Sequence, residues 1–207
     1  MITRRDAIAA IGFSALALTA ATAKVQAAEP GAVDLATDMI LGDLNAPITI
    51  IEYSSLTCPH CAHFHVDILP DLRKGYIETG KARFVYRDFP LDRAALYAAA
   101  LAHCAGKDRF FAFLDILFRS QATWGRANDP LDALKRVGRI GGLKVADIDA
   151  CFKDQKLLDG ILQSRMVGAQ TFEVNSTPTF FINGERLLGA QPYENFKTVF
   201  DRILGRT

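Results

Sequence analysis

Pro47-Ile48-Thr49-Ile50-Ile51-Glu52-Tyr53, followed by Ser54-Ser55-Leu56-Thr57 and then Cys58-Pro59-His60-Cys61, is the stretch on which the fold turns. The first seven residues are β-branched and mostly apolar, which suits a strand buried on both faces. The next four make a turn into a helix. From Cys61 the apolar residues Phe64, Ile68, Leu69, Leu72 and Tyr76 recur at helical spacing until Gly80. Lys81 to Arg87 is a second strand candidate, closed by Asp88-Phe89-Pro90. Strand, helix and strand within about 40 residues make a βαβ unit, whose strands are expected to run parallel.

Beyond this unit a helical stretch is expected from Asp92 to about Thr171. Ala-rich residues 94–105 lead it, and Phe110, Phe111, Leu114, Leu117 and Phe118 mark a second helix. A third has Asp129 as its N-cap, Pro130 at its first position and Gly141-Gly142 at its end. A fourth runs through Leu158, Ile161 and Leu162. Sheet character returns in Thr179 to Ile182, then Asn183-Gly184, then Glu185 to Leu188, a hairpin with a strong turn signal. Pro192 opens a last amphipathic helix using Tyr193, Phe196, Val199, Phe200 and Ile203. The order βαβ, helices, ββα predicts an α/β fold, one small sheet domain with a helical insertion. Its segments are 29–91, 92–171 and 172–207.

The first residues read differently. Thr3-Arg4-Arg5 is a positive start, Ala7 to Ala23 an almost uncharged apolar run, and small residues follow up to Ala27-Ala28. That order is expected of a cleaved secretory signal peptide over residues 1–28. The apolar run, about 17 residues, falls short of the roughly 20 a spanning helix needs. The paired arginines resemble a twin-arginine export signal, although the Phe and Lys usual in that motif are missing. Removing residues 1–28 takes away Arg4, Arg5, Lys24 and Asp6 and moves the net charge from +1 to −1. The whole chain is 50% hydrophobic and 23% charged, the composition of an ordinary globular protein. Its charge is balanced, so nothing points to nucleic acid. All four cysteines, Cys58, Cys61, Cys104 and Cys151, follow the signal, and an even count outside the cytosol favours disulfides.

Cys58-Pro59-His60-Cys61 sits where the strand hands over to the helix. At a helix start the first cysteine meets unpaired backbone N–H groups and the positive end of the macrodipole, and both favour thiolate. Pro59 fits the first helical position, where its missing donor costs nothing. His60, protonated or donating a hydrogen bond, would stabilise the anion further. In such settings a thiol falls from about 8.5 into a range of about 3.5–7.5. Cys58 is therefore expected to be the attacking and leaving sulfur, and Cys61 the buried resolving one, with no cofactor beyond their disulfide. A zinc site with His63 and His65 is disfavoured: there is no second Cys-x-x-Cys, and the three side chains leave different faces of one helix. No metal is expected, and His63 and His65 read as ordinary helix-surface residues. Glu52, six residues before Cys58, is either an edge residue facing solvent or a buried acid that relays protons to and from Cys61. Thr177-Pro178-Thr179 precedes the hairpin, where proline is tolerated at a strand start.

Cys-Pro-His-Cys at a helix start, a helical insertion, then Thr-Pro-Thr-Phe-Phe-Ile-Asn-Gly and a last helix resemble the DsbA family of thioredoxin-fold proteins. The resemblance runs from about Leu41 to Leu204 and is carried by the two motifs together. It implies a thioredoxin-like central sheet with an inserted all-helical subdomain. It implies that Thr177–Pro178 is cis and lies beside Cys58, where the Thr177 backbone would pair with an extended substrate. It also places Glu52 at the family's buried acid. Such proteins are exported to the periplasm, oxidise reduced exported polypeptides and are reoxidised by a quinone-linked DsbB-like membrane partner; a monomer is expected. Some relatives carry a second bridge in the insertion. Cys104 and Cys151, if joined, close a loop worth about 4 kcal/mol in the chain-entropy model; the alternative is two buried free thiols. Trp124 reads as packing, and Lys135, Arg136 and Arg139 as a solvated helix face.

Two other functions are compatible with these residues. One is a reductase or isomerase kept reduced by a DsbD-like partner. Against the isomerase stands the short distance, about 20 residues, between the signal and the first strand, since isomerases of this fold usually carry an N-terminal dimerisation domain. The other is a chaperone-like module without redox turnover, which would not need Cys58, His60, Cys61 and Pro178.

Overall fold

A computed structural model describes residues 33–34 and 36–206 of the chain, so the signal-peptide reading of residues 1–28 lies outside the described residues. Strand β2, Ile48–Ser54, is buried at all seven positions. It pairs in parallel with β3, Ala82–Asp88, and antiparallel with β4, Thr179–Ile182. The hairpin partner β5, Glu185–Leu188, extends the sheet beyond β4. Asn183 and Gly184 both take positive φ, 47° and 87°, as a two-residue turn matched to strand twist requires.

The far edge holds a strand that sequence reading did not anticipate, β1, Met39–Gly42, antiparallel to β3. It ends at Gly42, whose φ is +104° and where a Cβ would meet Ile77 Cγ2 at 2.8 Å and the Ala82 carbonyl at 2.9 Å. Sheet order is β1-β3-β2-β4-β5. Side chains alternate across a strand. Ile48, Ile50, Phe84, Phe180 and Ile182 therefore face one core, while Ile51, Tyr53, Val85 and Phe181 face a smaller one on the opposite side.

The helix after the motif is not uniform. Helix α1, Pro59–His63, leads into a π turn, Phe64–Ile68, then α2, Leu69–Leu72, and a second π turn, Arg73–Ile77. Pro70 lacks an N–H and would crowd the carbonyl four residues back in a regular helix; the first widened turn lies just before it. The helical block comprises α3 (Arg93–Cys104), α4 (Phe110–Arg119), α5 (Gln121–Trp124), α6 (Pro130–Ile140), α7 (Val145–Cys151) and α8 (Gln155–Thr171). Asp92, Asp129 and Asp154 cap α3, α6 and α8 by accepting from Ala95, Asp132 and Leu157 backbone N–H groups. Helix α9, Tyr193–Ile203, closes the chain behind Pro192.

The inserted helices have no core of their own. Leu101, Phe110, Phe113, Leu117, Phe118 and Trp124 belong to the same buried cluster as Ile50, Phe64 and Phe84. Trp124 is buried, with its indole N–H donated to the Leu117 carbonyl at 2.8 Å. Helices α3 to α7 thus brace the sheet face on which the motif helix lies, while the end of α8 sets Val167 and Gly168 against the smaller core on the opposite face.

Candidate active site

Cys58 is the N-cap of α1, with φ −79° and ψ 122°, and Pro59 is the first helical residue. Both motif cysteines are free. Cys58 retains 6% exposure and Cys61 none, so Cys58 is the less enclosed of the pair. The Thr177–Pro178 peptide is cis. Across 119 positions of chain the Cys58 S–H donates to the Thr177 carbonyl at 3.3 Å.

The two sulfurs are electrostatic opposites. The Cys61 S–H donates to Cys58 and is the largest influence bringing its thiol down to about 5, against the opposing effect of burial. Thr177 and the backbone N–H groups of Cys61 and His60 add to the lowering. Cys61 is pushed well above the ordinary thiol range, first by burial, then by its bond to Cys58 and the nearby Glu52 carboxyl. His60 enters this lowering with its backbone amide, and its side chain is exposed.

Glu52 does not face solvent. Strand β2 has a neighbour on each side, and Glu52 is 0% exposed. Its partner corrects the surface reading of His65: His65 Nε2 lies 2.7 Å from Glu52 Oε2, and the imidazole is stacked on Phe118 at 4.1 Å. His63 is exposed and pairs with Asp67 at 2.8 Å. The spacing 61, 64, 65, 68 is that of a buried helical stripe, so His65 was legible as an inward residue had periodicity outweighed polarity. Among the described residues no group of three His, Cys, Asp or Glu is placed to hold a metal ion.

Another contributor has no sequence signal. Gln121, opening α5, donates its amide to the carbonyls of Leu56 and Cys58, both at 2.9 Å, and so ties the motif turn to the insertion. Cys104 and Cys151, ending α3 and α7, are joined as a disulfide with Cα atoms 6.3 Å apart. A cavity of about 800 Å³ lies away from the motif, around the β1–β3 edge and α8.

A dithiol at a helix start beside a cis-proline loop, on a sheet carrying a helical insertion, defines a thioredoxin-fold protein. The thioredoxin family model matches residues 34–202. A Rickettsia felis protein provisionally named protein-disulfide oxidoreductase is 33% identical over 81% of this chain and 60% of its own length, and a Rickettsia typhi relative is 34% identical over 81% and 62%. The chain thus spans about three fifths of these curated relatives. The crystal structure of Wolbachia pipientis alpha-DsbA1 superposes with a TM-score of 0.79 at 34% identity, covering 84% of this chain and 94% of that one. Oxidised Bacillus subtilis BdbD, at 19% identity and a TM-score of 0.75, shares the fold. The chain belongs to the thioredoxin family and, within it, to the DsbA-like proteins.

Proposed function

We propose that the protein is an exported thiol–disulfide oxidoreductase that donates the Cys58–Cys61 disulfide to reduced polypeptides in the periplasm. The observation that carries this reading is the opposition of the two sulfurs, Cys58 brought down to about 5 and Cys61 held well up. A stabilised Cys58 thiolate favours the reduced protein, which makes the disulfide a good oxidant. A substrate thiolate attacks the Cys58 sulfur; a Cys58–substrate bond forms, the Cys58–Cys61 bond breaks, and the electron pair leaves on Cys61, which takes a proton. A second substrate thiolate then attacks the substrate sulfur and Cys58 departs as thiolate. The substrate loses two electrons and the cysteine pair gains them.

In this reading Glu52 passes protons to and from Cys61, Pro59 and His60 shape the helix start, and Thr177 with cis-Pro178 receives the substrate backbone. The Cys104–Cys151 bridge is structural. A DsbB-like quinone-linked membrane oxidase restores the disulfide, and the protein works as a monomer. Among the described residues no helix is long and apolar enough to cross a membrane.

The test is the equilibrium of the Cys58–Cys61 disulfide with a glutathione redox buffer. A strongly oxidising equilibrium, with the reduced form more resistant to denaturant, is expected. A potential near that of reducing thioredoxins would overturn the oxidase reading and point to a DsbD-coupled reductase or isomerase. Binding of unfolded polypeptide unchanged by Cys58→Ser, with no exchange in the parent, would point to a chaperone.

A further inference from the structure

Strand β1 pairs with β3 only as far as Tyr86, opposite Met39, while β3 runs on to Asp88. The sheet leaves a corner there, and α8 with His103 of α3 completes the walls of the cavity of about 800 Å³. That volume lies within the range of small-molecule sites. Met39, Leu157, Ile161, Val167 and Phe172 supply apolar wall. Tyr86 and Asp88 line the cavity as well, only 2% and 6% exposed, so they stand at its inner end rather than on its rim. Tyr86 OH and Asp88 Oδ1 hold no hydrogen bond. Orphaned buried polar atoms are rare in native proteins, and two on residues that line one cavity point to a ligand that meets both.

Gly160, inside α8, borders the same space. Glycine within a helix is less stable than alanine, so its presence asks for a reason. Gly168 has one in packing: a Cβ there would meet the Tyr53 ring at 2.7 Å. A Cβ at Gly160 would meet nothing within 4 Å, so packing does not require that glycine, and the room it leaves falls to the cavity.

The two orphaned atoms decide the head group. Asp88 Oδ2 is bonded to His103 Nε2 at 2.6 Å. A carboxylate oxygen only accepts, so Oδ1 needs a donor, and a phenol oxygen accepts as well as donates. Charge points the same way. Asp34, Asp38, Asp88 and Asp154 line the cavity against Arg87 and Lys156, with His103 beside Asp88. Arg87 is engaged by Asp38, through both Nε and Nη2 at 2.8 Å. An ammonium, which carries donors and no acceptor, therefore suits this end of the cavity better than a carboxylate or a neutral acceptor does. We infer that the cavity binds a small primary amine with an apolar body. Its ammonium donates to Asp88 Oδ1 and the Tyr86 oxygen, and its body packs against Met39 of β1 and the apolar side chains of α8. The site lies apart from the cysteine pair and does not depend on the direction of disulfide exchange.

The experiment is titration of isotope-labelled protein with phenethylammonium at neutral pH, followed by backbone amide shifts. Saturable shifts are expected at β1, at the end of β3 and along α8. Phenylpropanoate, phenethyl alcohol and ethylammonium, which lack the charge, the cation or the apolar body, are each expected to bind more weakly. Asp88→Asn keeps the shape and removes the charge. It should weaken phenethylammonium by about tenfold, the lower end of what a hydrogen bond to a charged group contributes. Gly160→Leu adds bulk where a Cβ meets nothing and improves the helix, so the fold is kept, and it should also weaken binding. If Asp88→Asn does not fold, Gly160→Leu decides. No saturable shift in the parent, shifts centred on Cys58 and Thr177 instead, or an unchanged affinity in either folded variant overturns the site. Equal binding of any of the three comparison compounds overturns the ligand class.

Discussion

The carboxylate of Glu52 and the imidazole of His65 meet at 2.7 Å with side-chain exposures of 0% and 4%. One comes from the central strand and the other from the π turn four residues after Cys61, so their bond ties sheet to motif helix. Replacing His65 by Leu leaves the Glu52 carboxyl buried without its partner. A cost of about 3 kcal/mol is expected from urea unfolding, since an orphaned buried polar group forfeits about 1–3 kcal/mol and more when charged. Adding Glu52→Leu to His65→Leu should recover part of that loss. A single-variant cost below about 0.5 kcal/mol, the level of an ordinary surface substitution, would show that the pair does not secure the helix.

The Cys58 thiolate should appear in ultraviolet absorbance with a midpoint near 5. The Thr177 side chain contributes to that lowering; its buried hydroxyl holds no hydrogen bond while the Cys58 S–H donates to the Thr177 carbonyl, and is free to donate once the thiol ionises. Thr177→Val should raise the midpoint by roughly one unit, because a hydrogen bond to a charged group is worth about 1.5–3 kcal/mol and a unit about 1.4. An unmoved midpoint would remove Thr177 from the stabilising set.

Proton linkage sets the direction of the pH dependence. The folded Cys58 thiol lies at about 5 against an ordinary 9.0, so between these values the unfolded chain holds one more proton than the folded one. The stability this confers on the reduced protein is fully present above pH 9 and lost as pH falls through 5, with a slope of about 1.4 kcal/mol per unit in between. Oxidised protein lacks the ionising thiol and should lack the slope. Denaturant midpoints of both forms between pH 5 and 8 check this; parallel curves would contradict it.

Cys104 and Cys151 are joined across 47 positions of the insertion, linking α3 to α7. Replacing both by Ala should lower stability by about 4 kcal/mol in the chain-entropy account. Glutathione exchange at Cys58 should continue at an unchanged equilibrium, since the bridge touches neither motif sulfur. A shifted equilibrium would show that the bridge helps to poise the motif.

Much of this was legible residue by residue. Asp129-Pro130 and Gly141-Gly142 bound α6, Asn183-Gly184 turns the hairpin, and Pro59 starts α1, because each acts through its own backbone or that of its neighbours. The lowering of the Cys58 thiol was legible only in part: the helix-start amides of His60 and Cys61 contribute to it, but the Cys61 thiol contributes most and Thr177 comes from 119 positions away. Strand β1 was missed because four residues on an edge carry little pattern, and Gly42 owes its place to Ile77 and Ala82. The sequence alone therefore determined the elements apart from β1 and the short helices α5 and α7, their order, and the place of Cys58 and Cys61 at a helix start. Only the tertiary structure decided that Glu52 is interior, that His65 is its partner, that Thr177 faces Cys58, and that Glu52 and Ser54 stand beside Tyr86 and Asp88. Those relations depend on strand register and on helices docking across tens of residues, and no single side chain carries that information until the chain is packed.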